Sequence, residues 1–235
     1  MTGHTRAEGQ LPKPETSKQP LKLLEVAVVA SLAVAVLCLI LFGWIAEEML
    51  HGDTLRFDMS VRTWVHQFAS PGLTRTMIFI SLLGDQILIV ELILVLLIFL
   101  VVGWRRAAAW LAITMLGVQL LDSVLKHEFH RVRPQPFFVA APTSFSFPSG
   151  HAITAFCFYG VLAGLLTDRI NSRAVRIVLW TFAAILVIAI GLSRIYLGVH
   201  YPSDVIAGYL AGAVWVGTII VLDHVRKVRQ DVKIR

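Results

Sequence analysis

Residues 25–46 read EVAVVASLAVAVLCLILFGWIA, an apolar run of 22 residues in which Glu25 is the one charged side chain. A run of about 20 apolar residues is the length that an α-helix needs to cross a hydrocarbon core of about 30 Å. Further runs of this kind occur at residues 86–104, 107–126, 149–166, 175–194 and 204–222. Together they predict an all-α, polytopic membrane protein with six transmembrane helices.

The composition agrees with this fold class. Of the 235 residues, 57% are hydrophobic and 15% are charged, and the mean hydropathy is +0.74. Soluble domains contain about 45–50% apolar residues, so a soluble monomer is excluded. The two cysteines, Cys38 and Cys157, both lie inside apolar runs, which argues against a disulfide framework or a thiolate zinc site.

Positive charge is divided unevenly between the two ends of the predicted helices. Six spans place both termini on one side, and assigning that side to the cytoplasm puts 14 of the 21 Lys and Arg residues there. Cytoplasmic loops and tails then explain the net charge of +6 without nucleic acid as a partner. We predict a disordered cytoplasmic tail at residues 1–22, a transmembrane domain at 23–225 and a basic cytoplasmic tail at 226–235.

Residues 47–85 contain one apolar piece, at 77–83, which is too short to span a membrane. We predict an interfacial helical segment on the extracytoplasmic surface, forming a lipid-facing collar. The side chains expected among the lipid headgroups are Trp64, Phe68, Phe79 and Leu83. The arginines expected to stay in water are Arg56, Arg62 and Arg75.

Three polar blocks interrupt the apolar pattern, and in the six-helix topology all of them lie at the extracytoplasmic ends of helices. They are KHEFHRVRP at 126–134, FPSGH at 147–151 and SRIYLGVHYPSD at 193–204. Lys126, Arg133 and Arg194 bring three cations to this surface. The backbone N–H groups of Ser149 and Gly150 lie at a helix N-terminus, where the dipole favours an anion. These groups predict a phosphate or other oxyanion pocket.

Two histidines, His151 and His200, lie at the same level as the cations. Asp204 follows His200 by four residues, so its carboxylate can reach the imidazole from the first turn of a helix. Such a pair orients one ring nitrogen and raises its basicity. Taken singly, each residue has a simpler interpretation as a membrane anchor, a helix cap or a structural histidine. Their coincidence at one depth favours a catalytic site.

The spacing of these residues resembles the three-part signature of the type 2 phosphatidic acid phosphatase (PAP2) superfamily. Its parts are Lys-x6-Arg-Pro from Lys126, Pro-Ser-Gly-His from Pro148, and Ser-Arg-x5-His-x3-Asp from Ser193. All eleven specified positions are present in order. The resemblance in topology to six-helix bacterial lipid phosphatases extends over residues 25–222. A pattern of this length is far more specific than a lone glycine-rich loop.

The resemblance implies a role for each matched residue. His200 is the nucleophile that becomes a phosphohistidine, Asp204 holds its tautomer, and His151 is the general acid and then the general base. The matched residues expected to bind the phosphate oxygens are Lys126, Arg133, Ser149, Gly150 and Arg194. No acidic cluster of the kind that holds Mg²⁺ accompanies them, so a metal-independent reaction without a cofactor is expected.

Residues between the matched positions receive separate predictions. Asp122 either orients the Lys126 ammonium or forms an ordinary pair with it one helical turn away. The variable spacers of the family pattern are assigned to a solvated face, and they are His127, His130 and Arg131.

The implied activity is removal of a terminal phosphate from a lipid phosphate or diphosphate at the outer leaflet of a bacterial plasma membrane. Undecaprenyl diphosphate and phosphatidylglycerol phosphate are the leading substrates, followed by phosphatidic acid and lipid A phosphate. One alternative is a phosphotransferase that passes the same phosphohistidine to an acceptor lipid. Another is a six-span transporter, although a transport pathway places its ionisable residues near the midplane rather than at one membrane face.

Overall fold

The computed structural model describes residues 19–140 and 142–234, and within them all regular structure is helical. The helices, in chain order, are α1 (Gln19–His51), α2 (Thr54–His66), α3 (Pro71–Leu82), α4 (Gln86–Val101), α5 (Arg105–Phe129), α6 (Gly150–Thr167), α7 (Arg173–Tyr196) and α8 (Pro202–Ile234). The all-α prediction is confirmed. Residues 1–18 of the predicted N-terminal tail lie outside the described residues. Residues 19–22 of the predicted N-terminal tail belong to α1, and α8 continues through 226–234 of the predicted basic C-terminal tail.

The predicted number of membrane spans is confirmed for the described part of the chain. The stretches long and apolar enough to cross a membrane are Val29–His51, Pro71–Val101, Arg105–Phe129, Gly150–Thr167, Arg173–Tyr196 and Pro202–Asp223. The second stretch is longer than expected, because α3 leads into α4 through a short turn at 83–85. The apolar piece at 77–83 therefore continues directly into a span instead of lying apart from it.

The helix most enclosed by its neighbours is α6, which packs against α5, α7 and α8. One apolar core lies between α4, α5, α6 and α7, and a second lies between α1, α5, α6 and α8. Many large apolar side chains on the other helices remain exposed, among them Val101 and Ile177. Exposure of this kind is expected where lipid rather than water surrounds the helices and each helix satisfies its own backbone hydrogen bonds.

Glycines let α8 approach its neighbours closely. A Cβ atom at Gly208 would lie 2.8 Å from the Ala152 Cβ and 2.8 Å from the Ser149 carbonyl oxygen. On α7, a Cβ atom at Gly191 would lie 1.9 Å from the Tyr209 hydroxyl oxygen. Small residues at such crossings allow the van der Waals packing that drives helix association in lipid. The beginning of α8 is thereby held against the beginning of α6 and the end of α7.

The α2–α3 segment, residues 54–85, does more than form a collar. Trp64, Phe68 and Phe79 are exposed, as expected for side chains that meet lipid headgroups. However, α2 packs against α7 and α8, and α3 packs against α7. The prediction that Arg62 stays in water is wrong, because its side chain is buried and donates to the carbonyl oxygens of Gln135 at 2.8 Å and Gly198 at 3.3 Å. This segment covers one end of the helix bundle.

Candidate active site

One end of the bundle gathers all three polar blocks. Lys126 lies in the last turn of α5, His151 in the first turn of α6, Arg194 in the last turn of α7 and Asp204 in the first turn of α8. His200 lies in the short connection between α7 and α8. Chain direction explains the convergence, because α5 and α7 end where α6 and α8 begin.

A main-chain hydrogen bond joins the second block to the third. The Ser149 N–H donates to the Asp204 carbonyl oxygen over 2.9 Å. The prediction that this N–H is free for an anion is therefore wrong. The Ser149 hydroxyl behaves differently, because it caps no backbone N–H and its buried Oγ has no hydrogen-bond partner among the described residues. A buried unpaired hydroxyl of this kind is a candidate ligand group.

The expected contact between His200 and Asp204 is present. His200 Nδ1 lies 3.4 Å from Asp204 Oδ2, and both side chains are almost fully buried. The same Oδ2 accepts hydrogen bonds from the Ser146 hydroxyl at 2.5 Å and from the Tyr201 N–H at 2.8 Å. The carboxylate is thus fixed beside one edge of the imidazole, and Ser146 is a site residue that the sequence analysis missed.

The other ring nitrogen of His200 faces a cation. Its Nε2 lies 2.9 Å from Arg133 Nη1. A guanidinium nitrogen only donates, so Nε2 accepts and the ring proton belongs on Nδ1, towards Asp204. Burial, followed by the positive charges of nearby Arg and Lys side chains, holds the pKa of His200 well below its ordinary value. The ring is therefore neutral at neutral pH, with a lone pair on Nε2.

Arg133 is anchored in its own loop as well as at His200. Its Nε donates to the Ser144 carbonyl oxygen at 2.7 Å and its Nη2 to the Ser144 hydroxyl at 3.0 Å. Its Nη1 also donates to the Val199 carbonyl oxygen at 2.9 Å. Burial lowers the pKa of Arg133, although a guanidinium stays charged. Most of the Arg133 donors are therefore already paired within the protein. Arg133 supplies positive charge and orients His200, and it has few N–H groups left for a ligand.

Arg194 keeps more of its hydrogen-bonding capacity. Its Nη1 donates to the Ser81 hydroxyl on α3 at 2.5 Å, while its buried Nε has no partner among the residues that the structure describes. An unpaired buried donor is costly unless a ligand accepts its hydrogen bond. Arg194 and the Ser149 hydroxyl are therefore the groups best prepared to bind a phosphate oxygen.

Lys126 approaches the start of α6 through a glycine. Its Nζ lies 2.7 Å from Asp122 Oδ2, which fits both interpretations of this pair because it is an i,i+4 contact that also lies in the site. A Cβ atom at Gly150 would lie 2.9 Å from Lys126 Nζ and 2.9 Å from Asp122 Oδ1. A side chain at residue 150 would have to displace the ends of both the Lys126 and the Asp122 side chains.

The prediction that Arg131 belongs to a solvated face is wrong. Its side chain is 10% exposed, with Nη1 2.6 Å from Asp204 Oδ1 and Nη2 2.8 Å from Asp58 Oδ2. Asp58, on α2, is fully buried and also accepts from the Ser203 N–H at 2.9 Å and the Ser203 hydroxyl at 2.7 Å. Arg131 therefore links α2 to the carboxylate that contacts the buried histidine.

A local signal for Arg131 exists in the sequence. Residues two apart in an extended segment point to the same side, and Arg131 and Arg133 lie in the non-helical segment after α5. The other two spacers, His127 and His130, are exposed as predicted. The helical repeat of α5 thus ends before Arg131. In the segment that follows, side chains two residues apart share a side, so Arg131 points inward with Arg133.

A cavity of about 590 Å³ opens beside these residues. Its polar end is formed by Lys126, Gly150, His151 and Asp122, together with Asp85 from the turn between α3 and α4. Its remaining lining comes mostly from apolar side chains of α4 and α5. Within the described residues, no group of three His, Cys, Asp or Glu side chains is arranged to hold a metal ion. The cavity suits an elongated molecule with a polar head and an apolar chain.

Comparison with protein families agrees with this geometry. A family model described as the PAP2 superfamily matches residues 107–227, which contain all three polar blocks and more than half of the chain. The chain belongs to the PAP2 superfamily. The resemblance inferred from the spacing of the three blocks is thereby confirmed.

Named PAP2 relatives are similar to parts or most of this chain. Phosphatidylglycerophosphatase B of Bacillus subtilis is 40% identical over 96 residues, which covers 40% of this chain and 47% of that protein. The undecaprenyl-diphosphatase of Sulfolobus acidocaldarius is 30% identical over 167 residues, or 67% of this chain and 75% of that protein. The crystal structure of a transmembrane PAP2-type phosphatidylglycerolphosphate phosphatase from Bacillus subtilis matches with a TM-score of 0.73 and 26% identity, over 81% of this chain and 96% of the other.

Proposed function

We propose that this protein is an integral membrane phosphatase that removes a terminal phosphate from a lipid phosphate or diphosphate through a phosphohistidine on His200. The observation that carries the proposal is the buried, neutral His200, with Nδ1 beside Asp204 and Nε2 beside a group of cations. A lone pair on a neutral imidazole is the form that can attack phosphorus. Arg133 donates a hydrogen bond to this lone pair, and the phosphoryl group replaces Arg133 beside Nε2 when substrate binds.

In the first half of the reaction, His200 Nε2 forms a bond to phosphorus while the bond from phosphorus to the lipid oxygen breaks. Asp204 stabilises the positive charge that develops on the ring. His151, in the first turn of α6, gives its proton to the departing oxygen. The products of this half are the dephosphorylated lipid and the phosphohistidine.

In the second half, a water molecule attacks phosphorus and the bond from phosphorus to Nε2 breaks. His151, now neutral, takes a proton from the water, and inorganic phosphate leaves. A lipid hydroxyl in place of water would make the same site a phosphotransferase. The two reactions differ in whether phosphate release needs an acceptor lipid.

The phosphate oxygens are bound by groups that the protein leaves unpaired. Arg194 Nε and the Ser149 hydroxyl lack partners among the described residues, and Lys126 adds an ammonium beside Gly150. The first-turn N–H groups of α6 add the positive end of a helix dipole. Positioning and charge stabilisation of this kind are most of what phosphoryl transfer requires, so the reaction proceeds without a metal.

The apolar part of the cavity, between α4 and α5, is suited to the hydrocarbon chain of the substrate. Phosphatidylglycerol phosphate and undecaprenyl diphosphate are the leading candidates, since relatives named for these two substrates match the chain. Both are amphiphiles with a terminal phosphate that would reach the site from the membrane surface.

The proposal is tested by phosphate release from a panel of lipid phosphates in detergent, with a chelator present. We expect turnover by the wild-type protein, none by His200→Ala, and normal turnover by His127→Ala, which changes an exposed histidine of the first block. Trapping with a ³²P-labelled substrate and quenching of His151→Ala with alkaline detergent, which preserves the acid-labile bond from phosphorus to nitrogen, should leave label on His200. Absence of turnover with every lipid, or a requirement for a divalent metal, would contradict the proposal.

We place the active site on the extracytoplasmic side, with both termini in the cytoplasm, because of the charge bias between the helix ends. Thr143 and Asn171 are exposed on loops at opposite ends of the bundle. In a variant without Cys38 and Cys157, Thr143→Cys should react with an impermeant thiol reagent added to intact cells, and Asn171→Cys only after lysis. The reverse pattern would place the site in the cytoplasm.

A further inference from the structure

A polar side chain interrupts the apolar lining of the cavity in the middle of α5. Gln119 is exposed, lines the cavity and lies within the membrane-spanning stretch Arg105–Phe129. Lys126, at the polar end of the cavity, and Ala112, in its apolar lining, are each seven residues from Gln119. Residues at this spacing are about two helical turns apart, so the three side chains share one face of α5. Gln119 therefore faces the cavity about 10 Å from Lys126, towards the middle of the membrane.

A second uncharged polar group lines the same cavity on α6. Thr154 lies one turn after Gly150, or about 6 Å from the start of the helix. Other threonine hydroxyls in the membrane helices donate to the carbonyl oxygen four residues earlier, as at Thr114, Thr167 and Thr218. Among the residues that the structure describes, the Thr154 hydroxyl and the Gln119 side-chain amide make no hydrogen bond. Both groups are therefore available to a ligand in the cavity.

The position of these two groups limits what they can bind. An amide or hydroxyl in the hydrocarbon region is costly without a hydrogen-bond partner, because no bulk water takes the place of that partner. The Gln119 amide and the Thr154 hydroxyl can both donate, so acceptor oxygens are suitable partners. When a phosphate lies at Lys126 and Gly150, those oxygens must belong to the part of the lipid about 6–10 Å further into the cavity.

Lipid phosphates differ in that part. In phosphatidic acid, the glycerol backbone carries ester carbonyl oxygens just beyond the phosphate. In phosphatidylglycerol phosphate, an inner phosphodiester follows the first glycerol, and ester carbonyls follow the phosphodiester. In undecaprenyl diphosphate, only hydrocarbon follows the second phosphate. A glycerolipid therefore brings acceptor oxygens to the level of Gln119, whereas a polyprenyl diphosphate brings hydrocarbon.

We infer that Gln119 and Thr154 form a subsite for the backbone of a glycerolipid, so that the cavity favours glycerolipid phosphates over polyprenyl diphosphates. This inference deepens the proposed function and rests on it. The terminal phosphate lies at the polar end, the backbone oxygens accept hydrogen bonds from these two side chains, and the acyl chains contact the apolar lining from α4 and α5. Gln119 lies far from the reacting bond, so it determines specificity and is not a catalytic residue.

The test measures kcat/KM for phosphatidic acid, phosphatidylglycerol phosphate and undecaprenyl diphosphate in detergent. Gln119→Met keeps the length of the side chain and removes its donors. We expect kcat/KM to fall by about fivefold for both glycerolipids, mainly through a higher KM, because one neutral hydrogen bond is lost far from the reacting atoms. The value for the diphosphate should not fall, since its chain meets an apolar side chain instead. The matched control is Ser123→Ala, which removes a polar group of the same helix outside the cavity and should leave all three values unchanged.

Ether-linked substrates identify the acceptor oxygen. Phosphatidic acid with ether-linked chains has no carbonyl oxygens, so Gln119→Met should leave its kcat/KM nearly constant, and its turnover reports that the variant is folded. Phosphatidylglycerol phosphate with ether-linked chains keeps the inner phosphodiester. A fall in kcat/KM with this substrate assigns the Gln119 contact to the phosphodiester, and a constant value assigns it to the ester carbonyls.

Two results would overturn the inference while leaving the proposed function intact. An equal fall for the glycerolipids, the ether-linked phosphatidic acid and the diphosphate would mean that Gln119 supports the fold and does not select substrates. A constant kcat/KM for both ester-linked glycerolipids would mean that the Gln119 amide does not contact the substrate. Failure of the wild-type protein to release phosphate from any of these lipids would instead contradict the proposed function itself.

Discussion

Two regions build the candidate site in different ways. The three signature blocks, at 126–134, 147–151 and 193–204, bring polar atoms together at one end of the bundle, and the first two also line the cavity. The α2–α3 segment contains no part of the signature, yet its polar residues contact residues of the blocks. Asp58 pairs with Arg131, and Ser81 accepts a hydrogen bond from Arg194.

The two regions differ in role, because the blocks contain the candidate reacting groups and the α2–α3 segment supports them. A residue that contacts the phosphoryl group must have one particular chemical function, so its type and spacing can be recognised in a sequence. A supporting residue needs only to fill the space beside a block residue and to pair with its polar groups. Many residue types at many positions can do so. We therefore expect substitutions of the matched signature residues in the blocks to reduce turnover in a folded protein, and substitutions of buried polar residues in the α2–α3 segment to reduce stability or alignment.

The largest effect is expected at the nucleophile. His200→Ala should reduce phosphate release to background, because no other group can form the phosphoenzyme. His151→Ala should retain slow turnover, since loss of general acid catalysis costs about 10²- to 10⁴-fold in rate. Both variants should still show a cooperative thermal transition in detergent, although His200→Ala should lower Tm because it truncates a fully buried side chain. Near-normal turnover by His200→Ala would contradict the assignment of His200 as the nucleophile.

The next effect is expected in the supporting region and should be one of stability. Asp58→Ala removes a fully buried carboxylate, which leaves the Ser203 N–H without its acceptor and Arg131 Nη2 with the Thr54 hydroxyl alone. Breaking a buried ion pair from one side destabilises a fold by about 3–5 kcal/mol. Thermal unfolding in detergent should show a clear fall in Tm. The control is Arg56→Ala, an exposed residue of the same helix.

The result at Asp58 tests whether the two regions differ in role. If Asp58→Ala kept the wild-type Tm but lost turnover, α2 would act on the reaction itself and would belong with the signature blocks. Turnover measured well below the Tm of the variant distinguishes these outcomes.

A smaller effect is expected when one cation of the site is replaced by another. Arg194→Lys should keep the fold but lower kcat/KM by about tenfold or more, because losing a charge-assisted hydrogen bond costs about 1.5–3 kcal/mol. Arg106→Lys is the control, since Arg106 lies at the opposite end of the bundle, where it pairs with Asp223. Equal, negligible effects at both positions would mean that Arg194 is a membrane anchor.

The smallest effect is a displacement of a pH profile. The pKa of His200 is held low by burial first and then by the charge of Arg133, so Arg133→Gln should raise it towards its ordinary value. His200 would then become protonated at a higher pH, and the acid limb of kcat/KM should move to higher pH. Ser81→Ala removes no charge and should leave that limb in place. A limb that stays fixed in both variants would mean that His200 does not control it.

Much of the fold was predictable because the membrane imposes simple rules on sequence. The six spans follow from the length of the apolar runs, and the convergence of the three blocks follows from the alternating direction of the helices. The site residues of the blocks, such as His200 and Asp204, were predictable because their spacing matches a family pattern. The His200–Asp204 contact is present at 3.4 Å.

The supporting contacts were not predictable in the same way. Asp58 and Arg62 lie one helical turn apart on α2, a spacing that is typical of an exposed ion pair. Both are buried instead, because Arg131, Gln135 and Gly198 lie against that face of α2 and supply partners more than 70 residues away. A pairing over such a separation leaves no local period in a single sequence.

The bond from the Ser149 N–H to the Asp204 carbonyl oxygen also bears on how the protein meets bilayers of different thickness. Membrane helices adjust to a thicker or thinner hydrocarbon core by tilting, at a cost of fractions of a kcal/mol per Å of mismatch. A bond between main-chain groups makes the first turns of α6 and α8 tilt as one body, since sliding past each other would break it. We therefore expect the separation of His151 and His200 along the membrane normal to stay constant when the composition of the membrane changes.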